Sequence, residues 1–134
     1  MIPKLMNYFQ QMLTKSLSVL KKYSLHLLVF YAVILTLGSL VNTGGLPNLG
    51  SDFDDKIYHS FAYLVFSILA YNYFRNRQNK HRIVFAGSIV FVYGIIIEIL
   101  QYTLTHNRTF DLNDILANSI GVLLGILAIG LVKR

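Results

Sequence analysis

The sequence predicts an all-α polytopic membrane protein: an antiparallel bundle of four transmembrane helices with both termini inside and an N-terminal amphipathic helix. Three observations predict it. Four apolar stretches, 23–41, 57–74, 83–104 and 112–132, each approach the ~20 residues that span a bilayer core. The charges between them sort by side. Of the 12 Lys and Arg residues, ten (Lys4, Lys15, Lys21, Lys22, Arg75, Arg77, Lys80, Arg82, Lys133, Arg134) flank one set of span ends, leaving only Lys56 and Arg108 at the other. The acids are the reverse: Asp52, Asp54, Asp55, Asp111 and Asp114 lie at the opposite ends, with Glu98 inside the third stretch. Lys and Arg concentrate in cytoplasmic loops, which fixes the orientation. The connections are short, and short connections favour antiparallel neighbours.

The first 22 residues form the amphipathic segment. Ile2, Leu5, Phe9, Met12, Leu13, Leu17 and Leu20 recur at helical spacing, with Lys4, Asn7, Gln11, Lys15, Ser18 and Lys22 on the other face. Such a helix lies on the inner leaflet; a frayed basic leader is the alternative. Residues 23–132 form a single membrane domain. No A-x-A-like site follows the first apolar run, so that run is read as retained rather than as a cleaved signal. The turn-rich loop 42–50 ends the first span. Residues 75–82 form a short inner turn, and 105–111 a short outer one. In the fourth span, Ala117, Gly121 and Gly125 make a small-residue stripe. In lipid such a stripe admits another helix closely, and it shares its face with Asp114 and Asn118, so this face is expected to look inward.

Composition removes several classes. An apolar content of 54% in 134 residues leaves no room for a soluble domain. The net charge of +6 is explained by anionic headgroups and topology, so no nucleic-acid partner is expected. Without cysteine there is no disulfide, thiolate ligand or cysteine nucleophile. Tyr23, Tyr58, Tyr71, Tyr73 and Tyr102 supply interfacial anchors in place of the missing Trp.

The chemistry concentrates at the acidic ends. Asp55 and His59 are i and i+4 on the second span, with Lys56 beside them. Glu98, seven residues before Thr105, lies about 10 Å below the outer end of the third, with Gln101 one turn on. Asp114 and Asn118 are i and i+4 on the fourth, and Arg108 sits in the loop before it. A lone intramembrane carboxylate such as Glu98 must be protonated or paired; Arg108, Lys56 and His59 are the available partners. Bland readings stand beside this one. Asp52 and Asp54 fit solvated loop acids, Asp111 and Asp114 can cap the fourth helix, and the cluster as a whole can be an interhelical salt-bridge lock.

Taken together, Asp55-Lys56-x-x-His59-x-x-x-Tyr63, Glu98-Ile-Leu-Gln101 and Arg108-x-x-Asp111-x-x-Asp114-Ile-Leu-Ala-Asn118-x-x-Gly121-x-x-x-Gly125 resemble the VanZ-like family over residues 52–126. The family is named for a small bacterial membrane protein associated with resistance to teicoplanin, a lipid-tailed glycopeptide. The resemblance implies a multi-pass protein of the bacterial cell membrane whose functional set is Asp55, Lys56, His59, Glu98, Gln101, Arg108, Asp114 and Asn118.

Two functions follow as expectations. In the first, an outer-leaflet polar pocket binds a lipid-linked cell-wall intermediate or lipoglycopeptide. Arg108 and Lys56 take its phosphate or carboxylate, and membrane lipids or a second copy of the chain are further partners. In the second, the site is an intramembrane acid–base enzyme acting on envelope lipid or glycan. His59 or Glu98 is then the base, oriented by Asp55 or Gln101, and the cations stabilise developing charge. No cofactor is expected. Were the cluster to hold a metal, through His59 with Asp55, Glu98 and Asp114, one imidazole among carboxylates favours Mg or Mn over zinc.

Overall fold

The computed structural model describes residues 2–41, 54–75, 81–105 and 110–132. Nearly all of them are helical and none is in a strand. Five helices follow in order: α1 (Ile2–Lys22), α2 (Ser24–Leu40), α3 (Asp54–Phe74), α4 (Arg82–Leu104) and α5 (Leu112–Val132). The last four fall on the four apolar stretches.

Length and apolarity alone qualify α4 and α5 as membrane-crossing helices, and a third candidate arises only if α1 and α2, bent by 63° at their junction, count together. By itself α2 has only 17 residues. The first turn of α3 carries Asp54 and Asp55, and Lys56 and His59 follow; these polar residues dilute its apolar content. That first turn also places carboxylates where the free amides and the dipole favour them.

In α1 the apolar side chains Leu5, Phe9 and Met12 are exposed. Its C-terminal end is tied to the rest of the fold, because Asn72 donates to the Leu20 carbonyl at 3.3 Å. Ser24 donates back to the Lys21 carbonyl at 2.9 Å across the bend.

The packing centre is α3, which touches α2, α4 and α5. Its core residues Tyr63, Phe66 and Ala70 pack with Ala86 and Val90 of α4 and Val122 of α5. Against α4 the register runs in opposite senses. Tyr63 faces Gly94, Phe66 meets Tyr93 edge-on at 5.0 Å, and Phe74 meets Phe85 at 5.1 Å. Polar links join α2 to the others, among them Tyr31 donating to the Ala62 carbonyl at 3.0 Å and Tyr93 to the Ala32 carbonyl at 2.7 Å.

The most extensive pairing is not between chain neighbours but between α3 and α5. Ser60 pairs with Ala117, and Ser67 with Gly125; positions advance together, so these two helices run in the same sense. The small-residue stripe lets the two come close. A Cβ at Gly121 would collide with the Ser60 carbonyl oxygen, and one at Gly125 would lie 2.7 Å from the Ser67 Cβ. With no side chain there, the α5 backbone rests directly on that of α3. Asp114, Ala117, Asn118, Gly121 and Gly125 are all buried, as their shared face led us to expect.

Candidate functional site

The close approach of α3 and α5 brings the first turns of both helices into one polar lattice. Lys56 is its hub. Its ammonium lies 2.7 Å from Asp111 Oδ2, is hydrogen-bonded to Asp114 Oδ1, and stands 3.5 Å from Asp55 Oδ2. Burial alone would depress the lysine, but the hydrogen bonds it donates to Asp111 and Asp114 outweigh it and hold it above the ordinary lysine value. Reciprocally, the Lys56 hydrogen bond and then the Asn113 amide hold the Asp111 carboxyl below the usual carboxylate range. Asp111 therefore has both roles considered for it. Its Oδ1 accepts the Asn113 amide at 2.8 Å, capping α5, while Oδ2 takes Lys56.

His59 sits one turn further along α3. Its Nδ1 is 3.0 Å from Asn118 Oδ1, and its Nε2 is 3.7 Å from Asp55 Oδ1. Ser60 donates to the Ala117 carbonyl at 2.8 Å, completing a seam of side chains along the α3–α5 line.

The α4 residues close the lattice from the third side. Glu98, 2% exposed, accepts the Asp111 backbone amide on Oε1 at 3.1 Å. Gln101, equally buried, donates to the Ser39 carbonyl at 2.8 Å. It thus anchors α2 to α4. Glu98 is not among the partners of Lys56, because α3 turns that side chain toward α5. Arg108, the other cation expected here, lies outside the described residues, as does Asp52. Every buried side-chain polar atom among the described residues has a hydrogen-bond partner. The structure thus brings together Asp55, Lys56, His59, Asp114 and Asn118, with Glu98 joined through the Asp111 amide.

Two features escaped the sequence reading. Ser60 and Asn113 were not singled out. The signal for Ser60 was its place beside His59, opposite the glycine stripe; Asn113 carried none. The second is a groove of about 610 Å³ between α3 and α5. Lys56 and Asn113 form its polar end, and Phe61, Leu64, Leu116 and Ile120 are among its walls. Another, of about 320 Å³, opens between α2 and α3 and is lined by His59, Tyr58 and Ser39 among others.

A helical protein with two to three apolar helices and a partly buried ionic lattice at one end of them is a membrane protein. Residues 2–133 match the model of the VanZ/LLP1 family, and the chain belongs to that family. No curated protein and no solved structure matches it.

Proposed function

We propose that the protein is a four-span, antiparallel, multi-pass protein of the bacterial cell membrane, with its termini cytoplasmic. On this reading it binds a lipid-linked or lipid-tailed envelope molecule, such as a cell-wall intermediate or a lipoglycopeptide of the teicoplanin kind, from the outer leaflet. The observation that carries it is the α3–α5 groove. Its long walls are apolar, suited to an acyl chain, and its head is Lys56 with Asn113. An ammonium has three donors. Two of those on Lys56 are engaged by Asp111 and Asp114, while the contact with Asp55 is a long 3.5 Å. The third donor is therefore the one a headgroup oxygen would take. The alternative, an acid–base enzyme on envelope lipid or glycan, is favoured by His59, whose ring is held by Asn118 with Nε2 toward Asp55.

Filling the groove tests the reading. Ile120→Trp would place an indole between the walls while leaving every lattice partner intact. The chain is extracted from bacterial membranes in mild detergent and its bound amphiphile identified by native mass spectrometry. The parent should retain a discrete amphiphile that Ile120→Trp loses. Equal retention by both would refute binding in this groove.

The orientation is tested separately. The chain has no cysteine, so single cysteines at Ser51 and Asn79 report cleanly. An impermeant thiol reagent applied to intact cells should label position 51 and spare position 79. The reverse pattern would place the lattice in the inner leaflet.

A further inference from the structure

We propose that His59, Asp55 and Asp114 form a binding site for one divalent cation of the manganese class, bridging α3 and α5. Two carboxylates alone would not make a site; the imidazole is what points to an ion. Asn118 Oδ1 can only accept a hydrogen bond, so the ring nitrogen 3.0 Å from it, Nδ1, carries the proton. With Nδ1 so engaged, Nε2 is the ring nitrogen left to bind an ion. It faces the Asp55 carboxylate across 3.7 Å, too far for a hydrogen bond. An ion seated between them would take an electron pair from each. Metal-bound histidines ordinarily donate their other ring N–H to a partner of this kind, which fixes the tautomer.

The third ligand comes from the other helix. One donor atom each from Asp55, His59 and Asp114 lies within 4.8 Å of the other two, a span that small rotamer shifts close around a single ion. The Asp114 side chain is 9% exposed, which weakens competition from water. One imidazole and two carboxylates, with remaining positions open to water, suit Mn²⁺. Lys56 is the built-in competitor, because its ammonium shares Asp114. When an ion arrives it can keep Asp111 at 2.7 Å and release Asp114. The site requires no amphiphile and stands apart from the groove reading.

The test uses the full chain in detergent, treated with chelator and titrated with Mn²⁺ alone. The free-ion paramagnetic resonance signal should fall by one equivalent per chain. The bound ion should show nitrogen modulation from one imidazole. His59→Gln should abolish the modulation and weaken binding tenfold or more, Asp114→Asn should weaken it similarly, and Lys56→Gln should tighten it. Should His59→Gln fail to fold, the triple replacement of His26, His81 and His106 by Gln still decides, since it should keep the modulation. Absence of nitrogen modulation in the parent, its loss in the triple variant, unchanged affinity in His59→Gln, or no tightening in Lys56→Gln would each overturn the proposal. A negative result leaves groove binding untouched, because no amphiphile is present.

Discussion

Lys56→Met is expected to destabilise the detergent-solubilised chain by on the order of 3 kcal/mol. Removing one partner of a buried ion pair costs about 3–5 kcal/mol, because the charge left behind is uncompensated. Lys56 leaves one such charge on Asp114, and a second on Asp111 that water partly reaches. Its side chain is 26% exposed, which places the effect at the lower end of that range. The methionine keeps the apolar stem and removes only the ammonium. Adding Asp114→Asn should restore a large part of the loss, since the acid that suffers most from losing its partner is then neutral. A thermal-denaturation cycle over the two sites measures the coupling. Additive effects would show that the two residues do not share the lattice.

The second large effect is expected at Gly121. There Val must push α5 away from the Ser60 carbonyl, a backbone atom with no rotamer to yield. Overpacking of this kind costs about 1–3 kcal/mol, and the rigid obstacle puts Gly121→Val at the top of that range. Separating the helices also pulls Asp114 from Lys56, so the loss should be accompanied by loss of bound amphiphile. At Gly130 there is nothing within 4 Å of a Cβ, and Gly130→Val should cost little. Gly87→Ala falls between them, because the atom it meets at 2.5 Å is the terminal methyl of Ile126, which can rotate. Melting temperatures in one detergent would rank the three; equal effects at 121 and 130 would deny the close approach.

Helix positions were largely legible in the sequence because each apolar run is bounded by turn residues or charges. The described helices begin and end within three residues of the expected spans, the largest difference being the early start of α3 at Asp54. The face of α5 was legible too, since Asp114, Asn118 and the glycines share one stripe. The partner of that stripe was not. Small residues announce a close approach without naming the helix that approaches, and loop length favoured chain neighbours. In the structure the partner is α3, whose backbone carbonyl at Ser60 occupies the space at Gly121. Lys56 was offered as a partner for Glu98, but the parallel register of α3 and α5 sets it between Asp111 and Asp114. Side-chain destinations of this kind depend on helix rotation, which periodicity does not fix. Gln101 shows the same limit: it was grouped with Glu98 by spacing, yet it reaches the Ser39 carbonyl on α2.

On the proposed function the lattice serves a ligand and not the fold alone. Asp55 and His59 separate the two. The Asp55 side chain is 50% exposed and its contacts with Lys56 and His59 are 3.5 and 3.7 Å, so it adds little to stability. The decisive measurement is the melting temperature of Asp55→Asn and His59→Gln set beside the susceptibility to a lipoglycopeptide that expression of each confers. Both variants are expected to melt close to the parent while losing its effect on susceptibility. If each loss of effect is matched by a proportionate fall in melting temperature or membrane abundance, the lattice is an interhelical lock and the ligand reading is contradicted.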